Sequence, residues 1–160
     1  METRGGGTQE GWTTDRESNQ RDDNMKQLAL TVLAFVAATF GTQAPSHYLI
    51  FASHYAAVTY LRKETLFQFG VLAMLIEGVV LSVLYVRVFG GRSTMKSALG
   101  FSWLMGAFLV AYTAFGEAAK YMVPSVASWI AVELGVALVQ FTVFGLLLGL
   151  IYRERSERRT

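Results

Sequence analysis

Four apolar stretches dominate this sequence, and each has close to the length that a helix needs to cross a lipid bilayer. They run from Leu28 to about Ile50, from about Leu66 to Phe89, from about Ser97 to Ala118 and from about Pro124 to Tyr152. A membrane-spanning helix needs about 20 apolar residues, because the hydrocarbon layer is about 30 Å thick. The sequence therefore predicts an all-α integral membrane protein that folds as a four-helix bundle.

The composition agrees with a chain that is covered by lipid. Hydrophobic residues make up 52% of the 160 residues and charged residues only 16%, whereas a soluble domain carries about 25% charged residues. The absence of cysteine excludes a disulfide scaffold and a thiolate metal site. The net charge of +2 arises from basic residues at the ends and in short loops, so no nucleic-acid partner is expected.

The chain divides into three parts by polarity. Residues 1–26 are rich in Gly, Thr, Asp, Arg and Gln, which predicts a disordered polar tail. Residues 27–152 form the predicted four-span transmembrane domain, and residues 153–160 form a basic cytoplasmic tail. The long polar stretch and its acidic pair, Asp22 and Asp23, argue against a cleaved signal peptide, so the first span is expected to stay as an anchor.

The first apolar stretch is too long for one straight span. Its helical pattern continues to Leu61, which would give a helix of about 50 Å at about 1.5 Å per residue. Gly41 and Pro45 lie where the helix has to change direction, because proline removes a backbone hydrogen bond and crowds the preceding turn. We expect a kink or a break near Pro45.

The distribution of lysine and arginine predicts the orientation in the membrane. If both termini are cytoplasmic, ten basic residues flank the spans on the inside and only Arg62, Lys63 and Lys120 lie outside. Basic residues concentrate on the cytoplasmic side of membrane proteins. The bias therefore predicts cytoplasmic termini, and the absence of a targeting signal indicates the cytoplasmic membrane of a bacterium or archaeon.

Glu77 is the strongest indication of function, since it lies near the middle of the second span without a basic residue within a turn. A carboxyl group at that depth is expected to be neutral or paired across helices, as in a proton relay or a cation site. The alternative is a protonated side chain whose hydrogen bond to a neighbouring helix only holds the bundle together.

Further polar side chains fall on single faces of two other spans. Thr39, Gln43 and His47 share one face of the first span, while Glu133 and Gln140 share one face of the fourth. A bundle turns such faces inward. We therefore expect an interior polar strip, either a cavity or a set of interhelical hydrogen bonds, that contains Gln43, His47, Glu77, Glu133 and Gln140.

The remaining polar residues favour structural roles. His47 and His54 would be about 10 Å apart on one helix, so they do not form a haem site, and no cofactor or metal site is predicted. Glu117 and Lys120 are three residues apart at the end of the third span, a spacing that predicts an interfacial ion pair.

Small residues recur at four-residue spacing, which allows helix backbones to approach closely. The predicted packing positions are Gly78, Ser82, Ser102, Gly106, Gly145 and Gly149. Close packing of this kind predicts a tight bundle or a contact with a partner helix.

These features favour a non-catalytic structural or accessory subunit that packs in a larger membrane assembly. The alternative is a proton-coupled or cation transporter or channel, formed by an oligomer that uses Glu77. A third class, an enzyme or cofactor carrier acting on lipid, quinone or haem, has no motif in its support. The expected partners are the bilayer and either another membrane protein or a second copy of this chain.

Overall fold

A computed structural model describes residues 9–58, 62, 64–89 and 93–157, with the side chains of residues 18–58, 62, 64–89 and 93–153. The helices, in chain order, are α1 (Gln9–Pro45), π1 (Ser46–Ile50), α2 (Ala52–Ala56), α3 (Phe67–Phe89), α4 (Met95–Val110), π2 (Ala111–Gly116), α5 (Glu117–Lys120) and α6 (Val126–Glu157). Within these residues the structure contains no β-strand.

The prediction of four membrane-spanning helices is confirmed. The segments that are long and apolar enough are Ser18–Ile50, Phe67–Phe89, Met95–Lys120 and Val126–Arg153. We call the end of the bundle that carries α2 and α5 the α2 end, and the end at the turn between α3 and α4 the opposite end.

Both terminal segments contain more helix than the sequence predicted. Helix α1 begins at Gln9, so residues 9–26, expected to form a disordered tail, are helical, and residues 1–8 lie outside the described residues. Helix α6 continues to Glu157, which places the first five of the eight residues of the predicted basic tail in the same helix as the fourth span. A polar terminal segment can be helical where it continues a long apolar helix, because the helix is already nucleated there and each added residue only extends it.

The hydrogen-bond pattern of the first span changes directly after Pro45. The five residues that follow adopt π-helix, and the chain then leaves helical geometry at Phe51, where φ is −116° and ψ is 26°. Proline has no N–H to donate to the preceding turn. The residues after it form π1 and the short helix α2, which returns over the end of the bundle.

Close packing joins α6 to α1 and α4. A Cβ atom at Gly106 would lie 2.6 Å from the ring of Phe141, and one at Gly145 would lie 3.0 Å from the Cβ atom of Ser102. Gly149 similarly faces Met95. Three of the predicted small-residue positions therefore face neighbouring helices within this chain.

Aromatic side chains fill the opposite end of the bundle. Phe35 of α1 meets Phe144 of α6 edge to face at 5.2 Å between ring centroids, and Tyr85 of α3 meets Tyr152 at 4.9 Å. Phe101 of α4 completes this group, and all five rings are buried. This aromatic plug, composed of Phe35, Tyr85, Phe101, Phe144 and Tyr152, closes that end of the bundle.

Helix α3 is the least enclosed of the four spans. It packs on α1, where a Cβ atom at Gly78 would lie 3.2 Å from the Cα atom of Val32, but it touches α4 only slightly. Ser82 is fully buried on the same face. A gap therefore remains between α3 and the π2 segment toward the α2 end.

Candidate functional site

The gap leads into a cavity of about 1090 Å³ within the bundle. Its walls come from all eight helical segments, together with Tyr121 beside α5. All five residues of the predicted polar strip line this cavity. The polar and charged lining residues are Thr39, Gln43, His47, Tyr55, Glu77, Tyr112, Thr113, Glu117, Tyr121, Glu133 and Gln140.

Two glutamine side chains tie the cavity wall together across helices. Gln43 Nε2 donates a hydrogen bond to Gln140 Oε1 at 2.8 Å, and Gln140 Nε2 donates to Thr39 Oγ1 at 2.9 Å. Gln140 is buried, so these bonds satisfy an amide that would otherwise be costly in an apolar interior. Both glutamines therefore hold α1 against α6 as well as facing the cavity.

His47 has a defined orientation on the π1 segment. Its Nδ1 lies 3.0 Å from the carbonyl oxygen of Gln43; since a carbonyl only accepts, Nδ1 carries the proton and donates it. In the neutral ring Nε2 is then an acceptor. The ring stacks on Tyr55 with 3.8 Å between centroids and 14° between planes.

His54 contacts the same tyrosine as His47 and in addition a tryptophan. Its ring stacks on Trp129 at 5.5 Å and meets Tyr55 edge to face. Because the helix of the first span ends at Ile50, the distance between the two histidines along one continuous helix does not apply. His54 does not line the cavity.

Tyr55 holds the carboxylate of Glu133 in place. The Tyr55 hydroxyl donates a hydrogen bond to Glu133 Oε1 at 2.8 Å. Burial raises the pKa of Tyr55 well above its usual value, and the neighbouring carboxylates Glu133 and Glu117 raise it further. The hydroxyl therefore remains a donor throughout the physiological pH range, and Glu133 keeps one fixed partner.

Glu77 differs from Glu133 in having no such partner. It is half-buried on α3 and lines the cavity, yet it makes no hydrogen bond or ion pair with any residue that the structure describes. It lies about 15 Å along α3 from Phe67, at about 1.5 Å per residue. A carboxyl group at this depth is therefore free to bind a ligand or a proton from the cavity.

Glu117 faces the same cavity rather than acting only at the interface. The ammonium group of Lys120 lies 3.1 Å from the hydroxyl of Tyr112, to which it donates, and 4.9 Å from the centroid of that ring. The hydrogen bond of Lys120 therefore goes to Tyr112, while its positive charge still lies close enough to Glu117 to stabilise the carboxylate there. Glu117 lines the cavity and Lys120 is exposed.

Both π-helical segments border the cavity. His47 belongs to π1, and Tyr112 and Thr113 belong to π2. A π-helix turn is wider than an α-helix turn and leaves backbone groups less regularly bonded, and such turns are frequent at functional sites. The sequence offers no local signal for π2, and Tyr55 and Glu117 were also missed as cavity residues.

The acidic groups do not form a compact metal site. Among the described residues, no group of three His, Cys, Asp or Glu side chains is arranged to hold a metal ion. The three carboxylates are instead distributed over α3, α5 and α6 around a wide space. Such a distribution suits a ligand that is larger than a bare ion.

The comparisons with known proteins identify no relative. No protein-family model, no curated protein and no solved structure matches this chain. The chemistry of the cavity is therefore what indicates a function for this protein.

Proposed function

We propose that this protein binds a cation inside the bilayer, in competition with protons, and carries it across the membrane. The observation that supports this proposal is the lining of the cavity by Glu77, Glu117 and Glu133, with no lysine or arginine among the lining residues. The transfer of a carboxylate from water into a membrane interior costs free energy, so such residues usually mark a proton relay or a cation site. This function corresponds to the alternative that the sequence left open.

The carboxylates have different tasks in this proposal. Tyr55 holds Glu133, which supplies a fixed negative potential near the α2 end of the cavity. Glu77 has no partner among the described residues and exchanges its proton for the cation. The other titratable groups that face the cavity are His47, Tyr55, Tyr112, Glu117, Tyr121 and Glu133.

The aromatic plug supports transport by alternating access. Because its five rings are buried, the cavity does not continue through the opposite end of the bundle. A carrier with a site closed on one side has to rearrange before it releases its ligand. The π-helical segments π1 and π2 lie beside the site, where a change between π- and α-helical turns would alter the cavity wall.

A measurement of proton movement in liposomes tests this function. The purified protein is reconstituted into phosphatidylethanolamine and phosphatidylglycerol vesicles, and a pH gradient is imposed across the membrane. Sodium, potassium, magnesium, tetraethylammonium and tetraphenylphosphonium chlorides are then added separately, and an internal pH dye reports collapse of the gradient. We expect at least one of these cations to collapse it with the wild-type protein.

Two glutamate variants make the test specific. Glu77→Gln removes the proposed exchanging group and is expected to abolish the cation-dependent collapse. Glu64→Gln is the matched control, since Glu64 is exposed and lies outside the cavity, and it is expected to behave as the wild type. Full activity of the Glu77→Gln variant would overturn the proposal.

The accessory-subunit function remains a second proposal, supported by an apolar groove outside the bundle. This groove lies between α1 and α6 and includes Gly41, Ala131 and Gly135. Neither glycine has another group within 4 Å of an added Cβ atom, so a partner helix could approach closely. Native mass spectrometry after mild extraction tests it, because a fixed stoichiometry with one larger complex is expected and purification as the chain alone contradicts it.

A further inference from the structure

Part of the cavity wall is exposed on the side of the bundle. The gap lies between α3 and π2, since α3 packs on α1 and barely touches α4. Residues beside the gap, Phe108 and Tyr112, both line the cavity and are largely exposed along the span. In a membrane this surface contacts hydrocarbon, so a ligand can enter the cavity from the lipid.

The walls of the cavity combine negative charge with aromatic rings. Phe108, Tyr112, Tyr121, Trp129 and Phe141 line it together with Tyr55 and the three carboxylates. Aromatic faces attract organic cations, most strongly where water is excluded. Apolar walls with a few charged groups are also typical of sites for small organic molecules.

One contact within the chain is an example of such a cation–π interaction beside the cavity. The ammonium group of Lys120 lies over the ring of Tyr112, 4.9 Å from its centroid, and donates to its hydroxyl. Lys120 acts on Glu117 through its charge as well. Glu77 and Glu133 have no lysine or arginine beside them in the lining of the cavity, so their negative charge is available for a ligand.

The size and arrangement of the site also favour an organic ligand over an inorganic ion. The volume of about 1090 Å³ lies just above the range of sites for drug-sized molecules, about 300–1,000 Å³. Magnesium and calcium need several oxygen ligands at about 2.0–2.6 Å, and the described residues contain no group of three acidic or histidine side chains with that proximity.

From these observations we infer that the ligand is an amphiphilic organic cation, a quaternary or protonated amine or phosphonium that carries aromatic or branched alkyl groups and enters from the lipid. This inference rests on the proposed function and specifies its substrate class. Glu77 is the counter-ion of the bound cation, and Phe108 and Trp129 contact its apolar substituents. Binding displaces the proton of Glu77 into solution, so charge is balanced.

Equilibrium binding of tetraphenylphosphonium to the purified protein in lipid nanodiscs tests the inference. Triphenylphosphine oxide, a neutral molecule with similar rings, and empty nanodiscs correct for partitioning into lipid. We expect saturable binding of the cation, release of protons into a weakly buffered medium and no saturable binding of the neutral molecule. Sodium, potassium and magnesium chlorides at equal ionic strength are expected not to compete.

Matched variants separate specific binding from general hydrophobicity. Glu77→Gln is expected to weaken binding of tetraphenylphosphonium at least tenfold, while Glu64→Gln leaves it unchanged. Phe108→Leu is expected to weaken binding about two- to tenfold, the range of one cation–π contact at about 1.4 kcal/mol per tenfold. Phe115→Leu is its control, because Phe115 lies nearby on π2, is exposed and does not line the cavity.

The outcomes distinguish this inference from the function on which it rests. Proton release by sodium, potassium or magnesium that depends on Glu77, without saturable binding of tetraphenylphosphonium, would overturn the organic substrate but keep the cation carrier. Equal binding by the wild type and Glu77→Gln would also overturn the inference. If no cation releases protons or collapses the pH gradient, both proposals are overturned.

Discussion

Replacement of Gly106 by alanine is expected to destabilise the bundle, although the same change usually strengthens a helix. Gly106 lies on α4 where that helix crosses α6, and it is buried against Phe141. A Cβ atom built there would lie 2.6 Å from two atoms of the Phe141 ring and 3.0 Å from its Cβ atom. Carbon atoms in contact normally lie about 3.5–4.0 Å apart, so the ring or the helix has to move by about 1 Å.

The size of the effect follows from a comparison with another glycine of the same helix. Gly100 has no other group within 4 Å of an added Cβ atom, so Gly100→Ala keeps only the gain in helix propensity, about 1 kcal/mol. Gly106→Ala has the same gain but also forces extra volume into a packed core, which costs about 1–3 kcal/mol. The two variants should therefore differ by about 1–3 kcal/mol in the free energy of unfolding.

A third glycine calibrates how far the neighbouring side chain can yield. A Cβ atom at Gly149 would meet the sulfur and terminal methyl group of Met95, which can rotate away because methionine is flexible. We therefore expect Gly149→Ala to lie between the other two variants in stability. Phe141 has less freedom, since its ring is buried and contacts Phe35 at 6.4 Å between centroids.

Unfolding in mixed micelles, followed by loss of helical circular dichroism as the SDS fraction rises, measures these differences. The double variant Gly106→Ala with Phe141→Leu tests the assigned contact, because a smaller side chain should recover part of the loss. Equal midpoints for Gly100→Ala and Gly106→Ala would refute the close crossing of α4 and α6. If the double variant loses as much stability as the two single variants together, the contact between Gly106 and the Phe141 ring is not the cause of the destabilisation.

Two further predictions concern the α2 end and the orientation of the chain. Burial raises the pKa of Tyr55 above its ordinary value of about 10. The unfolded chain therefore releases this proton at a lower pH than the folded protein, and the stability of the folded protein falls as the pH rises above about 10. The SDS midpoint should drop less from about pH 8 to about pH 11 in Tyr55→Phe than in the wild type, and equal drops would contradict the burial of this hydroxyl. Because the chain has no cysteine, variants with one introduced cysteine report the topology. A membrane-impermeant maleimide should label Met122→Cys in intact cells but Lys96→Cys only after permeabilisation. The reverse pattern would overturn the predicted cytoplasmic termini.

The sequence predicted the spans and the polar strip because both depend on local patterns. Thr39, Gln43 and His47 share a face of one helix through their spacing alone, and hydropathy is sufficient to locate each span. The helical conformation of residues 9–26 was not predicted, since these residues extend a helix whose stability comes from the apolar residues after them. The composition of a polar segment does not show that a neighbouring helix continues through it.

Hydropathy and helical spacing do not predict contacts between residues that are distant in the sequence. Tyr55 meets Glu133 across 78 positions of the chain, and this contact exists only because the chain turns back after Pro45. The hydrogen bond of Lys120 to Tyr112 likewise joins two residues across the π2 segment, for which the sequence has no local signal.

The amino-acid sequence by itself determined that four segments are long and apolar enough to cross a membrane and that Gln43, His47, Glu77, Glu133 and Gln140 face the interior, because the length and periodicity of each segment are sufficient for both. Only the tertiary structure decided that α3 stands apart from π2, that the aromatic plug closes the opposite end, and that Glu77 lacks a partner among the described residues while Glu133 has one. These features depend on how side chains of different helices fit together. That fit arises from the shapes of all four spans at once, and no single segment encodes it.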